Sequence, residues 1–303
     1  MKLHEEKNAF YDVILFTSRE LKISPELVEK DYFTTIVLKK LNDKISGLLF
    51  KGGTSLSKCY DVIDRFSEDI DLTLDIEHFS QSKKRRANKL IIEVCDELGF
   101  NLQNREFLEK HSHSNYNVYN IEYPILFPSK AVKPFIKVEM VFIQKAYPDE
   151  IKQVYSLMGK VLIEKNNNLF SIDQDLIPFS IRVQSLERTF VDKVFAICDY
   201  YLRNEIERNS RHIYDLYRIY PNIKLDEKLK ELISCVREDR KSNKNSISAQ
   251  DDVNINSLLE EIINKEVYKD DYHNNTQLLL FKQISYEETI NIIKIIIDSK
   301  AFL

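Results

Sequence analysis

A chain of 303 residues has material for two domains or one large one, and at 43% hydrophobic and 30% charged it reads as globular. Its net charge of −4 excludes a protein that coats nucleic acid over its whole surface, while leaving room for a local basic groove. No run approaches the roughly 20 apolar residues of a membrane span. The start, Met1 to Lys7, lacks the apolar region of a signal peptide, and Cys59, Cys95, Cys198 and Cys235 are scattered with no C-x-x-C. The expectation is a cytoplasmic protein with reduced thiols and neither a zinc site nor a disulfide frame.

The first element is a helix over 4–22, patterned by Phe10, Val13, Ile14, Phe16, Thr17 and Leu21. Ser24-Pro25-Glu26 then reads as a helix start, with an N-cap residue, proline at the first position and an acid in the first turn. The helix it opens runs through Leu27, Val28, Tyr32, Ile36, Val37 and Leu41. Within it, Glu29-Lys30-Asp31-Tyr32 is a charged turn on an amphipathic helix and is assigned a structural role.

From Leu48 an apolar strand leads into Gly52-Gly53, then a short amphipathic helix, then a strand running from Asp69 to Ile76. The period of two puts Asp69, Asp71, Thr73 and Asp75 on one face and Ile70, Leu72, Leu74 and Ile76 on the other. Two carboxylates one pleat apart repel unless a cation lies between them. A solvated face is one answer; a divalent metal is the other, Mg²⁺ above all where phosphate oxygens join the site. Gly52 and Gly53, two of only five glycines, allow close approach of a phosphate, and Thr54 and Ser55 offer hydroxyls at a helix start.

A helix over 80–98 places Lys83, Lys84, Arg85, Arg86 and Lys89 near its start, where cations oppose the helix dipole. They form a solvated face or an anion-binding one, such as for RNA phosphate. A tyrosine-rich strand covers 115–126; His111 and His113 before it do not by themselves make a metal site. A further strand over 135–143 puts Lys137 and Glu139 on one face among apolar neighbours. Glu139 needs a partner there, either a metal shared with the Asp-x-Asp strand or Lys137 or Lys145.

Residues 173–183, with Pro178, read as a connection, giving domains of 1–180 and 181–303. Beyond lies helix. Over 185–202 the pattern is apolar almost all round, so Lys193, on the face of Leu186, Phe190 and Ile197, needs a phosphate or carboxylate. A helix over 210–220 buries Ile213, Leu216, Tyr217 and Tyr220 and sets Arg211 and Asp215 at i, i+4, the spacing of a surface ion pair. The polar stretch 238–256 reads as a flexible loop, a lid or a partner surface. A capping box, Ser285 to Glu288, opens the last helix, packed through Ile290, Ile293, Ile296 and Ile297.

Three blocks of the sequence resemble the AbiEii and MenT toxins within the polymerase-beta-like nucleotidyltransferases. These are Glu29-Lys30-Asp31-Tyr32 in 27–41, Gly52-Gly53-Thr54-Ser55 with Arg65-Phe66-Ser67-Glu68-Asp69-Ile70-Asp71-Leu72 in 50–76, and the motif residues of 186–216. The last block reads Leu186-Glu187-x-Thr189-x-x-x-Lys193, then Arg211-x-x-x-Asp215-Leu216. The resemblance implies an α+β fold, with an N-terminal nucleotidyltransferase domain (a mixed sheet flanked by helices) and a helical C-terminal domain that completes the active-site cleft. It implies that Asp69 and Asp71 hold Mg²⁺ (or Mn²⁺), with Glu139 as the candidate third carboxylate. The Gly52-Gly53-Thr54-Ser55 turn would cradle the phosphates of an NTP, Ser67 would shape the pocket, and Lys193 would contact the triphosphate. Asp215 would orient a substrate group or act as a base. The function implied is that of a toxin adding nucleotides to RNA, at the 3′ end of tRNA, and silenced by a cognate antitoxin. A small-molecule or protein acceptor is the alternative.

Overall fold

The computed structural model describes residues 2–74, 80–111, 114–130, 132–142, 146–165 and 174–302. Asp75 and Ile76, His113, Ile143, Lys145 and Asp173, named above, lie outside them. The chain divides into two units, one of Met1–Tyr60 with Ser67–Val183 and one of Asp61–Phe66 with Gln184–Leu303.

The first unit is a sheet flanked by helices. In chain order its elements are α1 (Lys7–Leu21), α2 (Pro25–Lys44), β1 (Leu48–Lys51), α3 (Gly52–Lys58), β2 (Ile70–Leu74) and α4 (Gln81–Leu98). Then come β3 (Asn101–Leu102), α5 (Arg105–Lys110), β4 (Tyr116–Glu122), β5 (Ile136–Val141), β6 (Asp149–Val154), α6 (Leu157–Glu164) and β7 (Phe179–Gln184). The seven strands lie in the order β3-β4-β5-β2-β1-β7-β6. β1 runs antiparallel to β2 and parallel to β7, while β2 runs parallel to β5. The sheet is therefore mixed, as the α+β expectation has it.

Register decides what faces what. Phe50, Leu72 and Met140 pair across β1, β2 and β5 and are fully buried. One residue along, Lys51, Asp71 and Glu139 pair in the same way and share the opposite, half-exposed face. A hydrophobic period of two on each strand produces both rows at once.

One expectation fails at β7. Within the stretch read as a connection, 179–184 is a strand paired to β1 at Phe50↔Val183. Ile181 and Val183 are buried, and Arg182 Nε reaches Asp149 Oδ2 of β6 at 2.8 Å. The period-two alternation was present in the sequence, but Pro178 just before it read as punctuation of a loop rather than as the lead into a strand.

The second unit is helical: α7 (Leu186–Leu202), α8 (Arg211–Ile219), α9 (Glu227–Lys241), α10 (Ile255–Asn264) and α11 (Tyr286–Ser299). Phe190, Ile197, Ile213, Leu216, Leu259 and Ile293 are all fully buried in it. The segment 61–66 joins this unit through Phe66 N–H to Leu279 O and Phe281 N–H to Asp64 O, both 2.9 Å. Ser285 Oγ accepts from Glu288 N–H at 3.1 Å, so the predicted cap forms.

The polar stretch 238–256 is held down, contrary to its reading as a flexible loop. α9 continues to Lys241, and Ser248 and Ala249 are fully buried. Asp199 accepts Ser248 N–H at 2.8 Å and its hydroxyl at 2.7 Å, and Arg240 reaches Asp199 at 2.9 Å and Asp192 at 3.0 Å. Polarity here marks groups that satisfy one another inside, not groups that stay in water. Among the described residues no helix is long and apolar enough to cross a membrane.

Candidate active site

The site is built from the turn between β1 and α3. Gly52 has φ +79°, the left-handed region that an L side chain enters at a cost of about 1–2 kcal/mol. A Cβ placed on Gly52 would lie 1.9 Å from Asp71 Oδ2. The Asp71 carboxylate thus rests against bare backbone, and only glycine leaves room for it.

Asp69 stands one residue ahead of β2, with Lys133 Nζ 3.5 Å from its Oδ1. Glu139 pairs with Lys137 on its own strand, one of the partners its apolar setting required. The three carboxylates act on common neighbours. Burial holds the Tyr116 phenol well above its usual range, and Glu139, to which it is hydrogen-bonded, Asp71 and Asp69 push it further. Burial would lower the Lys137 ammonium, but its hydrogen bond and charge interaction with Glu139, together with Asp69 and Asp71, carry it above its ordinary value. Asp69, Asp71 and Glu139 therefore form one anionic field on one face of the sheet.

Thr54 and Ser55 are buried and their hydroxyls are engaged within the turn. Thr54 Oγ1 donates to Asp69 O at 2.5 Å and lies 2.9 Å from Ser67 Oγ. Ser55 Oγ donates to Gly52 O at 2.8 Å. These contacts fix the turn and the approach to Asp69 together.

Behind the site lies the Glu29–Tyr32 turn of α2, where the sequence showed only charge. Glu29 is fully buried and accepts the backbone N–H of Leu126 at 2.6 Å and Phe127 at 3.0 Å. Lys30, 1% exposed, donates to Glu68 at 2.6 Å and to the carbonyls of Lys133 at 2.7 Å and Phe135 at 2.9 Å. Asp31 accepts Lys58 Nζ at 2.5 Å and Leu157 N–H at 2.7 Å. One helical turn thus ties down the residue before Asp69 and the approach to β5. Sequence reasoning did not single out Lys133 or Tyr116, because neither falls in a pattern with a period.

In the second unit, Lys193 finds the carboxylate its position demanded. Its Nζ lies 2.5 Å from Asp215 Oδ2, while Arg65 grips the same carboxylate with two bonds of 2.7 Å. Asp215 is fully buried, not on the surface facing Arg211. Burial would raise its carboxyl, but Arg65 and Lys193 outweigh this and hold it well below the usual range. In this geometry Asp215 anchors two cations. Burial lowers the Lys193 ammonium, with Asp215 pulling the other way. His212, whose Nδ1 is 3.4 Å from Lys193 Nζ, is held neutral by burial and by Lys193 and Arg211.

The donor set at Asp69, Asp71 and Glu139 is all oxygen, which suits Mg²⁺ rather than zinc. Among the described residues no group of three His, Cys, Asp or Glu side chains is gathered to hold a metal alone.

The first unit thus carries a glycine turn set against an Asp-x-Asp strand in a mixed sheet. The chain shares its fold with MenT4, a nucleotidyltransferase toxin from Mycobacterium tuberculosis H37Rv, at a TM-score of 0.50 and 17% identity, over 93% of this chain and 98% of that one. Comparison with curated proteins finds no match. The family model for the nucleotidyl transferase AbiEii toxin of type IV toxin–antitoxin systems matches residues 37–290, and the chain belongs to that family.

Proposed function

We propose that this toxin transfers a nucleoside monophosphate from an NTP to an RNA acceptor, the 3′ end of tRNA, with Mg²⁺ (or Mn²⁺) as cofactor, and so blocks translation. The observation that carries the reading is the Asp71 carboxylate seated against the Gly52 backbone, beside Asp69 and Glu139. The acceptor 3′-hydroxyl attacks the α-phosphorus and loses its proton to solvent, the bond from that phosphorus to the β-bridging oxygen breaks, and pyrophosphate leaves. The bound metal would neutralise phosphate charge and lower the pKa of the attacking hydroxyl. Asp69 and Asp71 would hold it, with Glu139 as a third oxygen donor. Gly52 and Gly53 leave backbone exposed for phosphate oxygens, Thr54, Ser55 and Ser67 keep that turn in shape, and Lys193, fixed by Asp215, supplies a positive charge for the triphosphate. A cognate antitoxin is the partner that family membership implies.

The test is incubation with total tRNA, Mg²⁺ and each of four α-labelled NTPs, with Asp69→Ala as control. Label on tRNA from the unaltered protein alone supports the reading. Bound Mg²⁺–NTP with no label on tRNA, but label on protein or a small molecule, overturns the acceptor while keeping the reaction.

A further inference from the structure

The helix α4 sends cations to both of its flanks, and the two flanks differ. Arg85 and Lys89 line a groove together with Glu93, Asp96 and Glu109, where acid offsets base. Lys83 and Arg86 line another, of about 140 Å³, whose third cation is Lys44 at the end of α2 and whose lining contains no acid. Its floor is apolar, made by Ile45, Leu74 and Leu90. Lys44 pairs with Glu97, but among the described residues Lys83 and Arg86 have no ion-pair partner.

These cations are also placed where a helix does not want them. α4 has no acid in its first turn, and Lys83 and Arg86 stand within its first two turns, against the dipole. In a chain of net charge −4, cations that have no ion-pair partner among the described residues, at a position unfavourable for them, call for an anion. Phosphate alone would use the rim and waste the floor. A nucleic-acid strand uses both, its phosphates on Lys83 and Arg86 and its sugars and bases over the apolar floor. Leu74 lies on β2 three residues beyond Asp71, about 10 Å along the strand and on the opposite face of the sheet, so a strand in this groove reaches the carboxylates around the sheet rather than along it.

We infer that the groove of Lys83, Arg86 and Lys44 binds the phosphodiester backbone of the acceptor RNA, upstream of its reacting 3′ end. This rests on the proposed RNA-directed activity and locates the acceptor on the first unit.

The experiment measures binding of a fluorescent single-stranded oligoribonucleotide across a salt series, using the full-length protein. Lys83→Gln with Arg86→Gln is compared with Arg85→Gln with Lys89→Gln, and Mg²⁺–NTP binding is measured for each. Expected for the first pair is about a tenfold loss of RNA affinity near 0.1 M salt, with the log–log salt slope shallower by about 1.4. The second pair should change affinity less than twofold, and nucleotide binding should be unaltered in both. Equal losses from the two pairs, or no loss from the first, overturn the inference. So does full displacement of RNA by inorganic phosphate or by an acidic peptide at equal charge concentration. Loss of nucleotide binding in the unaltered protein would remove the nucleotidyltransferase reading instead, and the RNA data would still decide the groove.

Discussion

At Gly52 the backbone and a carboxylate share the space that a methyl group would fill. Gly52→Ala should therefore displace the Asp71 carboxylate and force an L residue into the left-handed region. We expect destabilisation of about 1–2 kcal/mol from the backbone alone and loss of Mg²⁺-dependent nucleotide binding, read by thermal unfolding and by equilibrium binding. A stable variant that binds nucleotide normally would refute this account of the turn. The Arg65–Asp215–Lys193 cluster makes a different forecast. Asp215→Ala strands two buried cations, and the cost should reach about 3–5 kcal/mol, seen as a fall in the urea midpoint. The glycine pair and Asp-x-Asp were legible because each is a local pattern with a chemical reason. The Arg65 clamp was not, since its two ends lie 150 residues apart and neither residue type announces the other.

Among the elements, α2 departs furthest from what its sequence suggests. Its charged turn looks like solvent-facing surface, yet Glu29, Lys30 and Asp31 each reach a different part of the first unit. Lys30→Ala would leave Glu68 without its closest cation and two carbonyls without their donor. The expected cost is about 3 kcal/mol or more, with weaker metal-dependent nucleotide binding because Glu68 precedes Asp69. Urea unfolding checks the first and a Mg²⁺ titration the second. The sequence assigned this turn a structural role but not its partners, because a lysine bonded to carbonyl oxygens leaves no trace in the residues that donate them. β7 shows the opposite case: its alternation was plain, and the proline before it hid the strand.

For the whole molecule, stability should depend on pH through His212, half-buried and neutral beside Lys193 with Arg211, Arg65 and Asp215 around it. Its folded pKa lies well below its unfolded value near 6.5, so below that pH the unfolded chain takes up a proton that the folded chain refuses. Stability is then full above pH 6.5 and falls as pH drops, by up to about 1.4 kcal/mol per pH unit. Melts between pH 7.5 and 5 should show the fall, and His212→Gln should flatten it. Asp215 adds its own loss at lower pH, as its carboxyl, depressed in the folded state, becomes protonated first in the unfolded one.

The assignment of 61–66 to the second unit bears on how the chain is made. Arg65 leaves the ribosome 150 residues before the aspartate that will hold it. At about 5–20 residues per second, that guanidinium waits roughly 8–30 s in water. Early in that interval the glycine turn and both aspartates of the Asp-x-Asp strand have emerged, while Asp215, the anchor of Lys193, is still to be made. A newborn chain therefore completes the Arg65–Asp215–Lys193 cluster only late in synthesis, well after the glycine turn that stands ahead of it in the sequence.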